Sequence, residues 1–420
     1  MPAPNLHPDW ASKGFTHPYT AHLDASVVLE WNQHALEAIQ ATAATPPYAS
    51  RALALESLAV YDVLNAIQGL PGYLVDLDAP HRISATAAVA AAAEHILSDT
   101  FPDQKATFVA ELTQSLKAVP DGPRETRGVA FGTAVADAVL ALRAHDGSDA
   151  VVPYAGGTEP GEWRPTPPGY LPALLPQWGS VTPFALTRGD QFRPDGPPEV
   201  TSAAYAAEFN EVKRLGSASS TERTAEQTEI ARFWADGSGS YTPPGHWNQI
   251  ATGLAATEDL SGPASARLLA ELNVALADAA IAAWDAKYTY DFWRPVTAIR
   301  LADTDGNAAT AADPDWVPLI TTPNHPDYVA GHATFSAAAA AILTDAFGAQ
   351  AFSATSVTLP GVTRSFASFA DAAAEAGRSR IYAGIHFRSA VEDGLALGQA
   401  VGDWVLDAFR PSCGGWDLPG

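Results

Sequence analysis

Three short blocks in the last third of the chain hold residue types that make chemical sense together. The first reads Lys287-Tyr-Thr-Tyr-Asp-Phe-Trp-Arg294-Pro295, the second Tyr328-Val-Ala330-Gly331-His332, and the third Ser379-Arg380-Ile-Tyr-Ala-Gly384-Ile-His386. They pool three fixed cations, two imidazoles and a glycine amide, with no cysteine and few carboxylates. That inventory suits a tetrahedral oxyanion better than a metal cation, which would need a cluster of carboxylates, thiolates or imidazoles. Lys287 and Arg294 lie two helical turns apart, so a helix running from Gly262 to Ile299 would put both on one face. Lysine offers a point charge and arginine a planar two-donor fork. The flanking Trp284, Tyr288, Tyr290, Phe292 and Trp293 argue against a solvated face. Gly331 and His332 stand where a helix begins, and helix N-termini present free amides to anions. Arg380 and His386 cannot share one face of a regular helix, so a turn at Gly384 must redirect the chain. Asp393 falls two turns after His386 and is placed to orient its imidazole.

The three blocks resemble the signature of the vanadium-dependent haloperoxidases, soluble relatives of the PAP2-type acid phosphatases that share their site. That signature reads K-x6-R-P, P-S-G-H and S-R-x-x-x-G-x-H. The first and third blocks match in full, whereas Val329-Ala330 replaces Pro-Ser in the second. The resemblance implies vanadate as cofactor, with phosphate able to occupy the same cage. It implies that Lys287, Arg294, Arg380 and the Gly331 amide bind the oxygens, that His386 ligates vanadium, and that His332 is the acid–base group. Lys287 would also polarise bound peroxide. By the same resemblance Asp236, in Trp234-Ala-Asp236-Gly, pairs with Arg380, and His325 stands where halide contact or proton shuttling is expected. Phosphatase-like relatives carry an acid four residues after the last histidine, where this chain has Ala390. Ala330 removes one hydroxyl donor, at a cost of about 1–3 kcal/mol of oxyanion stabilisation.

The elements that must position these groups are helical. Apolar residues make up 47% of the 420 residues and charged ones 17%, a globular composition. A net charge of −23 argues against nucleic acid or an anionic membrane as partner, and makes a local concentration of cations the more telling. Cys413 is the only cysteine, which excludes an intrachain disulfide and a cysteine-based metal site. The N-terminus lacks the charged and apolar regions of a signal peptide, leaving a cytosolic protein or one whose leader has been removed. No apolar run is long enough for a membrane span.

Residues 1–24 read as an irregular lead-in. Apolar spacing of three and four then predicts five helices within a 1–150 bundle. A 151–200 crossover rich in Pro and Gly but dotted with Trp163, Tyr170, Trp178 and Phe184 follows, and reads as ordered. A second helical set over 201–420 carries the three blocks. The calcium-like start at Asp303-Thr-Asp305-Gly306 has Pro314 where the twelfth-position glutamate belongs, so it reads as a turn. No stretch sustains a period of two, so the fold class is all-α, and the resemblance implies two stacked four-helix bundles. The expected activity is peroxide-driven oxidation of halide to hypohalous acid, delivered to a small organic acceptor. His325 and the missing serine favour bromide or iodide. Two alternatives stand beside it: an acid phosphatase with His386 as nucleophile and His332 as general acid, and a non-catalytic phosphate- or vanadate-binding protein. The oligomeric state is open, a homodimer included.

Overall fold

The computed structural model describes residues 25–410; the expected lead-in and Cys413 lie outside them. The described residues are mainly helical. The first set comprises α1 (Ser26–Thr42), α2 (Pro46–Gln68), α3 (Ala85–Thr100), α4 (Lys105–Leu116) and α5 (Pro123–Arg143). Local chemistry explains their ends. Pro46 and Pro123 open α2 and α5 at the position where a missing N–H costs nothing. The Ser84 hydroxyl accepts from the Ala87 amide to cap α3, and Gly69 closes α2 at φ +69°. No helix is long and apolar enough to cross a membrane, among the described residues.

The second set begins with α6 (Ala203–Gly216), α7 (Ala225–Phe233) and α8 (Thr242–Thr257), then the 29-residue α9 (Gly262–Tyr290). It continues with α10 (Pro295–Arg300), α11 (Gly331–Phe347), α12 (Phe369–Tyr382) and α13 (Arg388–Phe409). Helix α9 is buried along nearly its whole length because it is apolar all round. It packs on α2 from the first set and on α11 and α13 from the second, so it is the shared axis of the two groups. Helices α11 and α13 approach closely. A Cβ built on Gly398 would sit 2.1 Å from the Thr334 carbonyl, so only glycine lets the pair meet at that distance.

The crossover is ordered but irregular. The buried Asp278 carboxylate on α9 accepts from the amides of Phe184, Ala185 and Leu186 at 2.7–2.8 Å. The Leu174 carbonyl accepts from Trp284 Nε1 and the Tyr288 hydroxyl, which fastens the crossover beside the first block.

In four details the elements differ from, or add to, the sequence reading. Residues 242–257 form a helix that the Pro-Pro-Gly run obscured. An antiparallel hairpin, β1 (Phe352–Thr355) with β2 (Thr363–Phe366), interrupts the otherwise helical chain. The long helix stops at Tyr290 and not at Ile299. Asp291 takes a left-handed conformation (φ 49°), and Arg294 is extended because Pro295 follows it. The final helix begins at Arg388, which places His386 in the connection before it and leaves Arg380 in the last turn of α12. Gly384 makes that reversal at φ +80°, with Gly216 O only 2.3 Å from where a Cβ would stand.

Candidate active site

Arg294 forms the hub. Its side chain is fully buried, and its Nε and Nη1 donate to the carbonyls of His325 and Ile385, each at 2.7 Å. Nη1 also lies 3.0 Å from His386 Nε2, and Nη2 lies 2.9 Å from His325 Nδ1. Because Arg294 caps α10 in an extended conformation, it does not share a helical face with Lys287. It reaches the site from the α9–α10 connection.

Lys287 is buried in the last turn of α9. Its ammonium donates to the carbonyls of Pro326, Asp327 and Val329, the loop leading into α11. A lysine has three N–H donors, and burial requires each to find an acceptor. In this structure all three go to the loop. Through these contacts Lys287 ties the second block in place and sets its nitrogen beside Arg294.

Arg380 supplies the other side. Its Nη2 donates to the Trp234 carbonyl at 2.7 Å and its Nη1 lies 3.2 Å from His332 Nε2. His332 Nε2 is also 3.3 Å from the Ala235 carbonyl, and this half-buried imidazole is the most exposed of the cluster. Asp236 was expected to pair with Arg380, yet its carboxylate contacts His246 Nδ1 at 3.1–3.2 Å. It still lies close enough to favour the charged form of Arg380. His246 was not singled out from sequence; a buried histidine ten residues after an acid was the available signal.

Electrostatics show that these groups share one region. His386 is pushed well below the usual histidine range by burial, then by Arg294 and Lys287, with His325 and Arg380 adding to the effect. His332 is depressed likewise by burial, then Arg380. His325 follows through burial, Lys287 and Arg294. Burial lowers Arg294 and Arg380 to about 10, which leaves both charged at neutral pH, and it lowers Lys287 with help from Arg294. Cations and imidazoles that depress one another are held together without enough negative charge between them.

The start of α11 completes the set. Ala330 is its N-cap residue, fully buried and with no oxygen to offer, so no side chain caps the first-turn amides. Gly331 has no positive φ, and a Cβ there would meet only Trp284 and Phe335, at 3.6 and 3.8 Å. Neither conformation nor packing demands glycine, so the missing side chain leaves space above the amide. Trp284 borders that space, with its ring 5.0 Å from the His325 ring.

Asp393 does not reach the site. It accepts from the Tyr328 hydroxyl at 2.7 Å, and because His386 precedes α13 the two share no helical face. The carboxylate beside His386 is Asp327, fully buried, with Oδ1 3.0 Å from His386 Nδ1 and 3.9 Å from Arg294 Nη1. Sequence reasoning passed over Asp327. Its signal was a lone acid inside His325-Pro-Asp327-Tyr328, next to a block otherwise free of carboxylates. Among the described residues, no group of three or more His, Cys, Asp or Glu side chains could hold a metal cation.

Residues 267–414 match the family described as the VCPO second helical-bundle domain. The chain is 28% identical, over 405 residues, to the vanadium chloroperoxidase of Curvularia inaequalis, with 75% of this chain aligned. It spans 64% of that relative's length. A bacterial vanadium-dependent iodoperoxidase superposes with a TM-score of 0.81 at 29% identity, over 93% of this chain and 97% of the other. The chain is similar to vanadium-dependent haloperoxidases in sequence and in fold. A holo-type bacterial vanadium-dependent chloroperoxidase shares the fold at 17% identity, with a TM-score of 0.66 and 95% of each chain covered. Set against the haloperoxidase signature, the blocks carrying Arg294, Arg380 and both histidines converge in space. Ala330 is a departure at the helix start itself.

Proposed function

We propose that the chain is a vanadate-dependent haloperoxidase that uses hydrogen peroxide to oxidise halide to hypohalous acid, which then reacts with a small organic acceptor. One observation carries the reading. His386 Nε2 lies 3.0 Å from a guanidinium nitrogen while Nδ1 faces a carboxylate, so Nε2 holds a lone pair in the cationic region. A nitrogen lone pair, two guanidinium groups and uncapped helix amides are the donor set a vanadate ion fits. His386 would hold it through Nε2, and Arg294, Arg380 and the Gly331 amide would take its oxygens.

When bound, vanadate supplies Lewis acidity that activates peroxide toward halide. The rest falls to the protein. Arg294 and Arg380 stay cationic and compensate the oxyanion charge. Lys287 adds a third charge while bracing the loop before α11. His332, neutral because burial and Arg380 disfavour its charged form, accepts a proton from peroxide at Nε2 and returns it later. Trp284 and His325 wall off the site on the Gly331 side. The charge set would accept phosphate as well, so phosphate competes with vanadate.

The test is halide oxidation by the anion-stripped protein, titrated with vanadate in the presence of peroxide and bromide, iodide or chloride. Turnover is expected only with vanadate, strongest on iodide or bromide, and is suppressed by phosphate. Absence of halide oxidation at saturating vanadate, alongside phosphate-ester hydrolysis that vanadate inhibits, would replace this reading with a phosphatase.

A further inference from the structure

The position four residues after His386 holds the buried Ala390 and no acid, and Asp393 is occupied by Tyr328. We propose that Asp327 is the positioning residue of His386: its carboxylate, 3.0 Å from Nδ1, keeps the ring hydrogen on Nδ1 and so leaves Nε2 unprotonated, its lone pair on the side of Arg294 and the oxyanion site. This rests on the function proposed above.

Asp327 is placed for this from three sides. Its amide donates to the Phe292 carbonyl at 2.9 Å, in the connection that carries Arg294. Its carbonyl accepts from Lys287 Nζ at 3.1 Å. Its side chain lies against His386, 59 positions along the chain. Arg294 grips the other end of the same ring system, through His386 Nε2 and the Ile385 carbonyl. The imidazole is therefore held at both nitrogens, one beside a cation and one beside an anion. Only the tautomer with hydrogen on Nδ1 satisfies both, because Nε2–H would point at a guanidinium N–H.

The remaining contacts of Asp327 argue against a role in stability. Apart from the Phe387 amide, which favours the charged carboxylate, neither oxygen has a well-aligned hydrogen bond within the protein, nor does His386 Nδ1. The nearest guanidinium nitrogen is 3.9 Å away, too far for a close fork. A fully buried carboxylate so poorly satisfied costs the fold free energy. Its nearest side-chain partner is the histidine nitrogen opposite the ligating one, at 3.0 Å.

The experiment uses the full chain, with orthovanadate as the probe in isothermal titration calorimetry. The proteins compared are the parent, Asp327→Leu, Asp327→Asn and Asp393→Asn. Thermal midpoints and the histidine side-chain ¹⁵N tautomer signals are recorded without vanadate. Loss of an outer carboxylate that orients a ligating histidine weakens metal-site affinity about 10- to 100-fold. Asp327→Leu is expected to lose vanadate affinity by that factor, to melt no lower than the parent, and to shift His386 away from the Nδ1–H form. Asp327→Asn keeps an acceptor and should lose less, whereas Asp393→Asn should bind as the parent does. Parental affinity and an unchanged His386 tautomer in Asp327→Leu would overturn the proposal. Should that variant not fold, unchanged affinity and tautomer in Asp327→Asn would overturn it equally. Failure of the parent itself to bind vanadate would sink the haloperoxidase reading, and the tautomer signal would still decide the role of Asp327.

Discussion

Ala330→Ser restores the one hydroxyl that the second block lacks, and the structure sets what it should do. Residue 330 is the N-cap of α11 at φ −73° and ψ 111°, an extended geometry from which a serine oxygen reaches the first-turn amides. Accepting from one of those amides is worth roughly 1 kcal/mol, which for a chain of this size raises the melting temperature by no more than about 2–4 °C. The same hydroxyl keeps its hydrogen to donate. Given to an equatorial oxygen, it adds about 1–3 kcal/mol, or about 5- to 150-fold in affinity. The assay pairs vanadate titration calorimetry with a thermal melt of the anion-free protein, and halide turnover is expected to hold or rise. A raised melting temperature with unchanged vanadate affinity would show a helix cap and nothing more. It would refute placing the anion at this helix start.

Three further outcomes are expected. His386→Ala should abolish vanadate-dependent halide oxidation while leaving the circular dichroism of the parent; turnover at the parental rate would end the assignment. Gly384→Ala puts a side chain at φ +80° and against the Gly216 carbonyl, so it should destabilise by about 1–3 kcal/mol or more in urea denaturation and weaken vanadate binding. Glu56 is buried on α2, and burial raises its carboxyl to about 8. The folded state then holds a proton that the unfolded chain releases from about pH 4.5 upward. Its stability contribution is intact below that point and is lost as pH rises toward 8. Glu56→Gln should therefore gain on the parent by no more than about 5 kcal/mol at pH 8 and far less at pH 5, and a gain independent of pH would contradict the assignment.

The residue types that make up the candidate site were legible because they lie in short blocks of fixed order. Three cations, two imidazoles and a helix-start glycine can be recognised without coordinates. The alanine-dense helices were legible too, from apolar periodicity. Backbone breaks inside a helical pattern were less so. The stop at Tyr290 depends on a left-handed Asp291, a residue type that propensity does not mark as a terminator. The hairpin at 352–366 is two four-residue strands, too short to set up a period. Partner choice was least legible. Asp236 turned to His246, Asp393 to Tyr328, and Asp327 to His386, each across a distance in sequence that only tertiary packing closes.

The three carbonyls around Lys287 bear on how firmly the loop before α11 holds its shape. The ammonium is solvated by backbone dipoles, so the main chain itself compensates the buried group. An incoming oxygen must then win each proton of that ammonium from an amide carbonyl. Such a cradle is made of main chain, and it would trade some grip on an oxyanion for rigidity.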